Sequence, residues 1–224
     1  MIIQSKRVWI AGQFLAMQIE MQNGKITDIL PYGTKAADID YGDKRIVPGF
    51  IDVHTHGAYG FDTNDAEPEG LRDWMKRIPE EGVTAILPTT VTQMPDVLTA
   101  ALKNVAAVVS EGYEGAEILG VHFEGPYLDM EYKGAQPPEA IAKATVEQFK
   151  MYQEAAQGLI NYITMAPEHD ENFALTRYCR ETGVVVSMGH SSATYEQAML
   201  GIANGATSMT QEYTGIPPTN NRKP

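Results

Sequence analysis

The chain has 224 residues, of which 43% are hydrophobic, so it can bury the core of one large domain or of two smaller ones. Its net charge of −12 argues against nucleic acid and anionic membranes as partners, although a few local cations could still hold a phosphorylated substrate. A single cysteine excludes an internal disulfide framework. The N-terminus lacks the order of a signal peptide and no apolar run could cross a bilayer, so we expect a cytoplasmic protein.

Residues 1–47 have the pattern of a small β unit. Residues 7–10, 14–21 and 25–30 are rich in β-prone side chains, and Asn23-Gly24 is a strong hairpin signal. Strands that follow each other without a helix indicate a meander or half of a sandwich. We therefore predict a partial, β-sandwich-like domain at 1–47, which is too short to bury a good core alone.

From residue 48 onward, strands and amphipathic helices alternate. Strands are predicted at 50–53, 84–88, 117–123, 160–165, 184–188 and 207–210, and helices at 67–81, 95–110, 145–156, 170–182 and 195–204. This alternation indicates parallel βαβ units, and it favours an α/β fold with a TIM-like (β/α) barrel at 48–224, of which about six of the eight strands are present. The alternative is a doubly wound sheet, which the absence of a glycine-rich nucleotide fingerprint after the first strand disfavours.

The first predicted barrel strand ends in His54 and His56. In an extended chain, residues two apart point to the same side, so both imidazoles can aim at one point beyond the strand. Neutral imidazole is the commonest protein ligand for divalent transition metals. By itself this spacing is a weak signal, because two polar residues in a turn after a strand would look the same.

Other predicted strands also end in polar residues. Glu124 follows the third strand, His190 the fifth and Gln211 the sixth. In a parallel α/β barrel the chemistry lies at the carboxyl ends of the strands, so these side chains would converge with His54 and His56. Imidazoles with a carboxylate suit zinc, iron(II) or manganese. Plain strand-end residues remain the alternative for Glu124 and His190.

Three further residues could be mistaken for part of such a site. His122 lies two residues before Glu124, and we interpret it as a core residue or as one that supports the ligands. His169, near the start of a predicted helix, is interpreted as a surface residue. Cys179, inside a helix, is interpreted as a small buried apolar group.

Several longer segments surround these residues, and their order along the chain is that of a known enzyme family. They include PGFIDVHTHGAYGFDT, EEGVTAILPTTVTQ, ILGVHFEGPYL with KGAQPP after it, SMGHSSATYEQA and NGATSMT. On these segments the chain resembles the N-acetylglucosamine-6-phosphate deacetylases of the amidohydrolase superfamily, over nearly all of the sequence from residue 48. The resemblance implies metal-assisted hydrolysis of an amino-sugar phosphate, with acetate and glucosamine 6-phosphate as products.

The resemblance also implies roles for the metal ligands. Glu124 and His190 would bind the main metal, with zinc first among the candidates, and His54 and His56 would hold a second one. Gln211 stands where the family has a histidine that is the third ligand of the main metal. A glutamine oxygen binds zinc more weakly than an imidazole, so this difference implies a weaker site for the main metal.

Four further residues match substrate-binding positions of the family. Ala135 would contact the sugar through its backbone. Thr214 and Gly215 stand where the family has an asparagine, which contacts the substrate, followed by a small residue. Arg222 would bind the substrate phosphate of the partner subunit in a homodimer, a task that suits the paired donors of a guanidinium.

In this superfamily the general acid and base is an aspartate at the end of the eighth strand. The resemblance puts that position beyond Pro224, so no catalytic acid can be assigned within the sequence. We therefore expect the chain as given to be an inactive fragment or an altered relative. Another amidohydrolase-superfamily deacylase is an alternative, which the lack of a lysine at 164–167 disfavours. A non-catalytic fragment that binds metal or a partner protein is another, which Gln211 favours.

Overall fold

The computed structural model describes residues 1–211 of the 224, and the contacts given below belong to that part of the chain. The chain divides into two units, Met1–Gly49 and a second unit that begins at Phe50. The division comes directly after Pro48-Gly49, a pair that disfavours regular structure. The domain assignments of 1–47 and 48–224 stay predictions.

The first unit contains one five-stranded sheet. Its strands are β1 Ile2–Ile10, β2 Gln13–Gln22, β3 Lys25–Pro31, β4 Ile39–Asp40 and β5 Arg45–Ile46. The first three form an antiparallel meander, and β4 and β5 pair with β1 in parallel. Asn23 and Gly24 have φ angles of 52° and 72°, as a two-residue hairpin turn requires. Since the unit has only this sheet among the described residues, the predicted sandwich stays a prediction.

Strands and helices alternate in the second unit. The strands are β6 Phe50–Thr55, β7 Gly57–Ala58, β8 Phe61–Asp62, β9 Val83–Pro88, β10 Glu117–Ile118, β11 Val121–Glu124, β12 Ile160–Met165, β13 Val185–Met188 and β14 Ala206–Met209. The helices are α1 Pro68–Arg77, α2 Pro95–Glu111, α3 Val146–Ala155, α4 Ala174–Thr182 and α5 Tyr195–Asn204. Short 3₁₀ helices lie at Thr63–Asp65, Ile78–Glu81, Pro138–Ala140, Pro167–His169 and Glu171–Phe173.

The main strands of this unit run parallel and lie side by side in chain order. One sheet has the order β6, β9, β10, and another has the order β11, β12, β13, β14. A parallel bridge between Thr89 and His122, with the N–H of Thr90 donating to the carbonyl of His122 at 3.0 Å, joins the two sheets. This sequential order is that of a barrel, whereas the order of a doubly wound sheet reverses at a switch point.

The third predicted strand, 117–123, is interrupted in the structure. It consists of β10 and β11, which are separated at Leu119-Gly120. A Cβ on Gly120 would lie 2.4 Å from Nδ2 of Asn161, and that amide donates to the carbonyl of Leu119 at 2.8 Å. The break therefore serves a close contact with the neighbouring strand, which local sequence cannot show.

The fourth predicted helix, 170–182, begins four residues later than expected, at Ala174. Asn172 and Phe173 have φ angles of 54°, in the left-handed region, which interrupts an α-helix. The carboxylate of Asp170 accepts the N–H groups of Leu175 and Thr176, which are free donors of the first helical turn. Asp170 thus caps the helix from outside it.

Successive side chains of β11 point to opposite faces of the sheet, one packed against helices and one polar. Phe123 is fully buried and packs against the rings of Phe149 and Tyr152 of α3. Burying a phenylalanine side chain contributes about 1.5–3 kcal/mol, so this contact anchors the strand under the helix. His122 and Glu124 then point to the opposite face.

Apolar side chains are exposed along the edge strand β6. Phe50, Ile51 and Val53 have 67%, 62% and 44% of their surface exposed. Among residues 1–211, β6 pairs with β9 alone and β14 with β13 alone, so each has a free edge there. In the same range, no helix combines the length and apolarity that crossing a bilayer would need.

Candidate metal centre

His54 and His56 meet at the carboxyl end of β6, as their spacing predicts. Their Nε2 atoms are 3.4 Å apart. The side chain of Asp52 accepts the backbone N–H of His54 at 2.9 Å, which holds the end of the strand. Nδ1 of His56 donates to the carbonyl of Thr89, at the end of the neighbouring strand, over 3.2 Å. This bond turns Nε2 of His56 toward Glu124.

The carboxylate of Glu124 lies between the three histidines. Its Oε2 is 3.1 Å from Nε2 of His56 and 3.5 Å from Nε2 of His54, and its Oε1 is 3.0 Å from Nε2 of His190. Glu124 is 1% exposed. Burial alone would raise the pKa of this carboxyl, but the hydrogen bonds from His190, His54 and His56 outweigh it and hold the pKa well below its usual range. Glu124 is therefore ionised.

His190 reaches the carboxylate from the loop after β13. Its φ of 49° lies in the left-handed region, which is costly for a residue with a side chain. Nδ1 of His190 donates to the carbonyl of Tyr132 at 2.7 Å. The carbonyl of His190 accepts the N–H of Asp129 at 2.8 Å. Ring and backbone of His190 are thus both tied to the 129–132 loop.

The tautomers of His56 and His190 follow from their partners. A carbonyl oxygen only accepts, so Nδ1 carries the proton in both rings and each neutral ring presents a lone pair on Nε2. Those lone pairs face the ionised carboxylate of Glu124. Such an arrangement needs a positive charge between its members, which either a proton or a metal ion can supply. The residues present therefore fit a cation, and bonds from Nδ1 to carbonyls are the usual support of metal-binding histidines.

The pKa values of His56 and His190 agree with this need. Burial lowers the pKa of both imidazoles, but the hydrogen bond to Glu124, together with its charge, more than offsets burial, so both pKa values are raised. Without a metal, a proton shared with Glu124 takes the place of the cation.

His122 lies outside this cluster, in agreement with its interpretation as a core residue or as one that supports the ligands. Nδ1 of His122 donates to the carbonyl of Val53 at 2.7 Å, so Nε2 accepts from the hydroxyl of Thr164, also at 2.7 Å. The Thr164 hydroxyl is in turn bonded to that of Thr210 at 2.8 Å, and Thr210 to Ser187 at 2.6 Å. Burial lowers the pKa of His122 to about 4, so the ring is neutral.

Two other predicted site residues, Gln211 and Ala135, lie outside the cluster of Glu124 and the three histidines. Gln211 is exposed, has a φ of 55° and makes no hydrogen bond to the cluster among the described residues. Ala135 is exposed and follows Gly134, on which a Cβ would lie 3.6 Å from Cε1 of His190. Ala135 therefore lies near the cluster without being part of it.

The expectations for the C-terminal part of the sequence lie outside the described residues. They are the substrate contacts of Thr214, Gly215 and Arg222, and the general acid and base, whose expected position is beyond Pro224. Glu124 does not replace that acid, because its carboxylate is ionised and engaged with three imidazoles. The predicted lack of an assignable catalytic acid before Pro224, like the three substrate contacts, stays a prediction.

Asp129, Glu168 and His169 form a second cluster, next to the first. Sequence reasoning did not find it. Nε2 of His169 lies 2.9 Å from Oδ2 of Asp129, although His169 is on the surface, as predicted. The available signal was positional, because Glu168 follows β12 and Ser191-Ser192 follows β13 at the same end of the sheet. Cys179 is buried, which raises the pKa of its thiol to about 12, in agreement with a structural role.

Comparison with known proteins shows the family of the chain. The model of the amidohydrolase family matches residues 45–215. The chain is 42% identical to the N-acetylglucosamine-6-phosphate deacetylase of Bacillus subtilis over 187 residues, which are 81% of this chain and 47% of that protein. It is 31% identical to the N-acetylgalactosamine-6-phosphate deacetylase of Escherichia coli O157:H7, over 92% of this chain and 54% of that protein.

A solved structure agrees with these matches. It is a mutant N-acetyl-D-glucosamine-6-phosphate deacetylase from Mycobacterium smegmatis in complex with N-acetyl-D-glucosamine-6-phosphate, and it aligns with a TM-score of 0.91 at 27% identity over 100% of this chain and 58% of its own. The chain thus spans about half the length of the relatives it matches. The α/β, TIM-barrel-like fold predicted from the sequence is confirmed at that level, and the chain belongs to the amidohydrolase family.

Proposed function

We propose that the protein containing this chain is a metal-dependent hydrolase that removes the acetyl group from N-acetylglucosamine 6-phosphate. The observation that carries the proposal is the convergence of His54, His56 and His190 on the buried carboxylate of Glu124. Relatives named for this activity match over most of the chain, which supports the choice of substrate class.

The same four residues would hold a divalent cation. Zinc is the first candidate, with iron(II) and manganese as the others, because imidazole and carboxylate ligands suit all three. When bound, such a cation polarises a carbonyl oxygen and lowers the pKa of water. Since Glu124 offers one carboxylate to all three imidazoles, we propose one tightly bound cation per chain instead of the main and second metals that the resemblance implies.

The protein's own groups prepare this site. The charge of Glu124 offsets that of a cation. The carbonyls of Thr89 and Tyr132 bind Nδ1 of His56 and of His190, which leaves Nε2 of each ring facing Glu124. His122 stays neutral beside His54, with ring centroids 4.7 Å apart, and therefore does not repel a cation. Gln211 remains the proposed weak ligand.

Substrate contacts and a general acid complete the proposal. Ala135 would present its backbone to the sugar, Thr214 and Gly215 would line its site, and Arg222 would bind the phosphate within a cytoplasmic homodimer. Asp129 is not proposed as the acid that protonates the leaving nitrogen, because both of its oxygens already accept hydrogen bonds.

Acetate release tests the proposal. The full product of the reading frame that contains this sequence is loaded with zinc and given N-acetylglucosamine 6-phosphate. We expect turnover, and a loss of at least about 100-fold in Glu124→Gln, which keeps the shape of the side chain but removes its charge. Glu117→Gln, at an exposed acid on β10, is the matched control and should retain activity.

The same assay separates the alternatives. N-acetylgalactosamine 6-phosphate is the comparison substrate, because a relative is named for its deacetylation. Faster turnover of the galactosamine derivative would replace the proposed substrate. Turnover of neither sugar by zinc-loaded protein would overturn the proposal and favour a fragment that binds metal or a partner without catalysis.

A further inference from the structure

We propose that Asp129 is a positioning residue that fixes His190 as a metal ligand. This inference rests on the metal site of the proposed function. The structure supports it through contacts that reach the ring of His190, its carbonyl and the residues that follow it. Asp129 lies in the loop after β11 and is 8% exposed.

Oδ1 of Asp129 organises the loop that receives the His190 ring. It accepts the N–H groups of Glu131 at 2.9 Å and of Tyr132 at 3.2 Å. The carbonyl of Tyr132 in turn accepts the Nδ1 proton of His190 at 2.7 Å. One carboxylate oxygen therefore fixes the residue that sets the tautomer of the His190 ring.

Oδ2 of Asp129 holds the backbone segment that follows His190. It accepts the hydroxyl of Ser192 at 2.9 Å, two residues after the histidine. Glu168 reinforces this contact, because its carboxylate accepts the N–H of Ser192 and the hydroxyl of Ser191, both at 2.6 Å. With the bond from the N–H of Asp129 to the carbonyl of His190, the ligand is held at its ring, at its carbonyl and at the two residues after it.

These contacts also explain why the second acidic cluster is there. Both oxygens of Asp129 and both oxygens of Glu168 already accept hydrogen bonds from the protein, so the cluster is a brace rather than a second ion site. A brace is needed because the left-handed backbone of His190 is costly and persists only where its surroundings impose it. Such outer contacts typically change metal affinity by about 10–100-fold.

The test compares Asp129→Ala with two other variants by competition for zinc with a chromophoric chelator. We expect Asp129→Ala to weaken zinc binding by about 10–100-fold. Asp129→Asn keeps an oxygen for the N–H groups of Glu131 and Tyr132 and should recover most of the affinity. Asp170→Ala is the matched control, because Asp170 is also buried but caps α4, so it should lose thermal stability with zinc affinity within about threefold of the parent.

A second measurement needs no metal. The ¹⁵N shifts of the imidazole of His190, recorded in metal-free protein at an alkaline pH where the ring is neutral, report its tautomer. In the parent and in Asp129→Asn we expect Nδ1 to carry the proton, and in Asp129→Ala a mixture of tautomers. This readout stays valid if the parent binds no zinc, a result that would count against the proposed function but not against the brace.

Equal zinc affinity and an unchanged His190 spectrum in Asp129→Ala would overturn the inference. If Asp129→Ala does not fold, Ser192→Ala takes its place, since it removes one bond to Oδ2 and leaves the 129–132 loop intact. It should weaken zinc binding about threefold and broaden the His190 signals. Parent-like values in Ser192→Ala would then count as refutation.

Discussion

Nε2 of His190 lies 3.0 Å from Oε1 of Glu124 while Nδ1 of the same ring donates to a backbone carbonyl. The proton of the neutral ring is on Nδ1 and is donated to the carbonyl, so Nε2 faces the carboxylate of Glu124 with a lone pair. This contact is favourable only when a proton or a metal ion lies between the two groups. A proton serves in the metal-free protein and a metal ion would replace it. Both the stability of the metal-free protein and the release of protons on zinc binding depend on this exchange.

The stability of the metal-free chain should fall as the pH rises above neutral. The pKa values of His56 and His190 are raised in the folded state, so their contribution is complete below the ordinary imidazole value of 6.5 and is lost as the pH passes the raised values. The lowered pKa of Glu124 acts in the opposite sense, with a contribution present above 4.5 and lost in acid. Urea unfolding with chelator, measured from about pH 6 to 9, checks this. A flat profile that matches Glu124→Gln would contradict it.

Zinc binding should release protons near neutral pH. The cation takes the place of the protons that His56 and His190 share with Glu124, and ligating imidazoles must be neutral. Calorimetric titration in buffers of different ionisation enthalpy counts the released protons. The number should decrease toward alkaline pH, where the rings are already neutral, and zinc should bind more tightly there. No proton release at pH 6.5 would show that the metal binds elsewhere.

Gln211→His should strengthen zinc binding. Imidazole is a better zinc ligand than an amide oxygen, so a gain of about tenfold is expected. Competition with a chelator measures the gain. Gln211→Asn is the control, because it keeps the amide and shortens the side chain. An unchanged affinity in Gln211→His would remove this residue from the ligand set.

Thr164→Val should destabilise the fold without removing the metal site. The Thr164 hydroxyl, which is fully buried, links His122 to Thr210, and its loss leaves both partners short of a hydrogen bond. A cost of about 1–3 kcal/mol in the free energy of unfolding is expected. Thr164→Ser keeps the hydroxyl and should lose less. Equal losses in the two variants would mean that the methyl group matters as much as the hydroxyl, and a parent-like stability of Thr164→Val would contradict the prediction.

The sequence predicts the strand order and the four residues of the cluster because both depend on local patterns. Strand β12 and helix α5 have their predicted bounds, and the spacing of His54 and His56 places both at one strand end. The break at Gly120 depends on the side chain of Asn161, which lies on another strand, and could not be read from local sequence.

The hydrogen bonds that orient the histidines of the cluster could not be predicted from local sequence either. The protons on Nδ1 of His56 and His190 go to the carbonyls of Thr89 and Tyr132, and every residue has such a carbonyl, so no side-chain pattern marks it. Asp129 is a similar case, because its role comes from contacts with Ser192, far along the chain.

X-ray absorption at the zinc edge, together with elemental analysis of the folded chain, tests the central claim most directly. The account predicts about one zinc per chain, with nitrogen and oxygen ligands at about 2.0–2.2 Å and the scattering pattern of imidazole rings. His190→Ala should reduce that imidazole contribution. Chelator-washed protein without zinc, or with zinc whose spectrum is the same in His190→Ala, would contradict the assignment of this site.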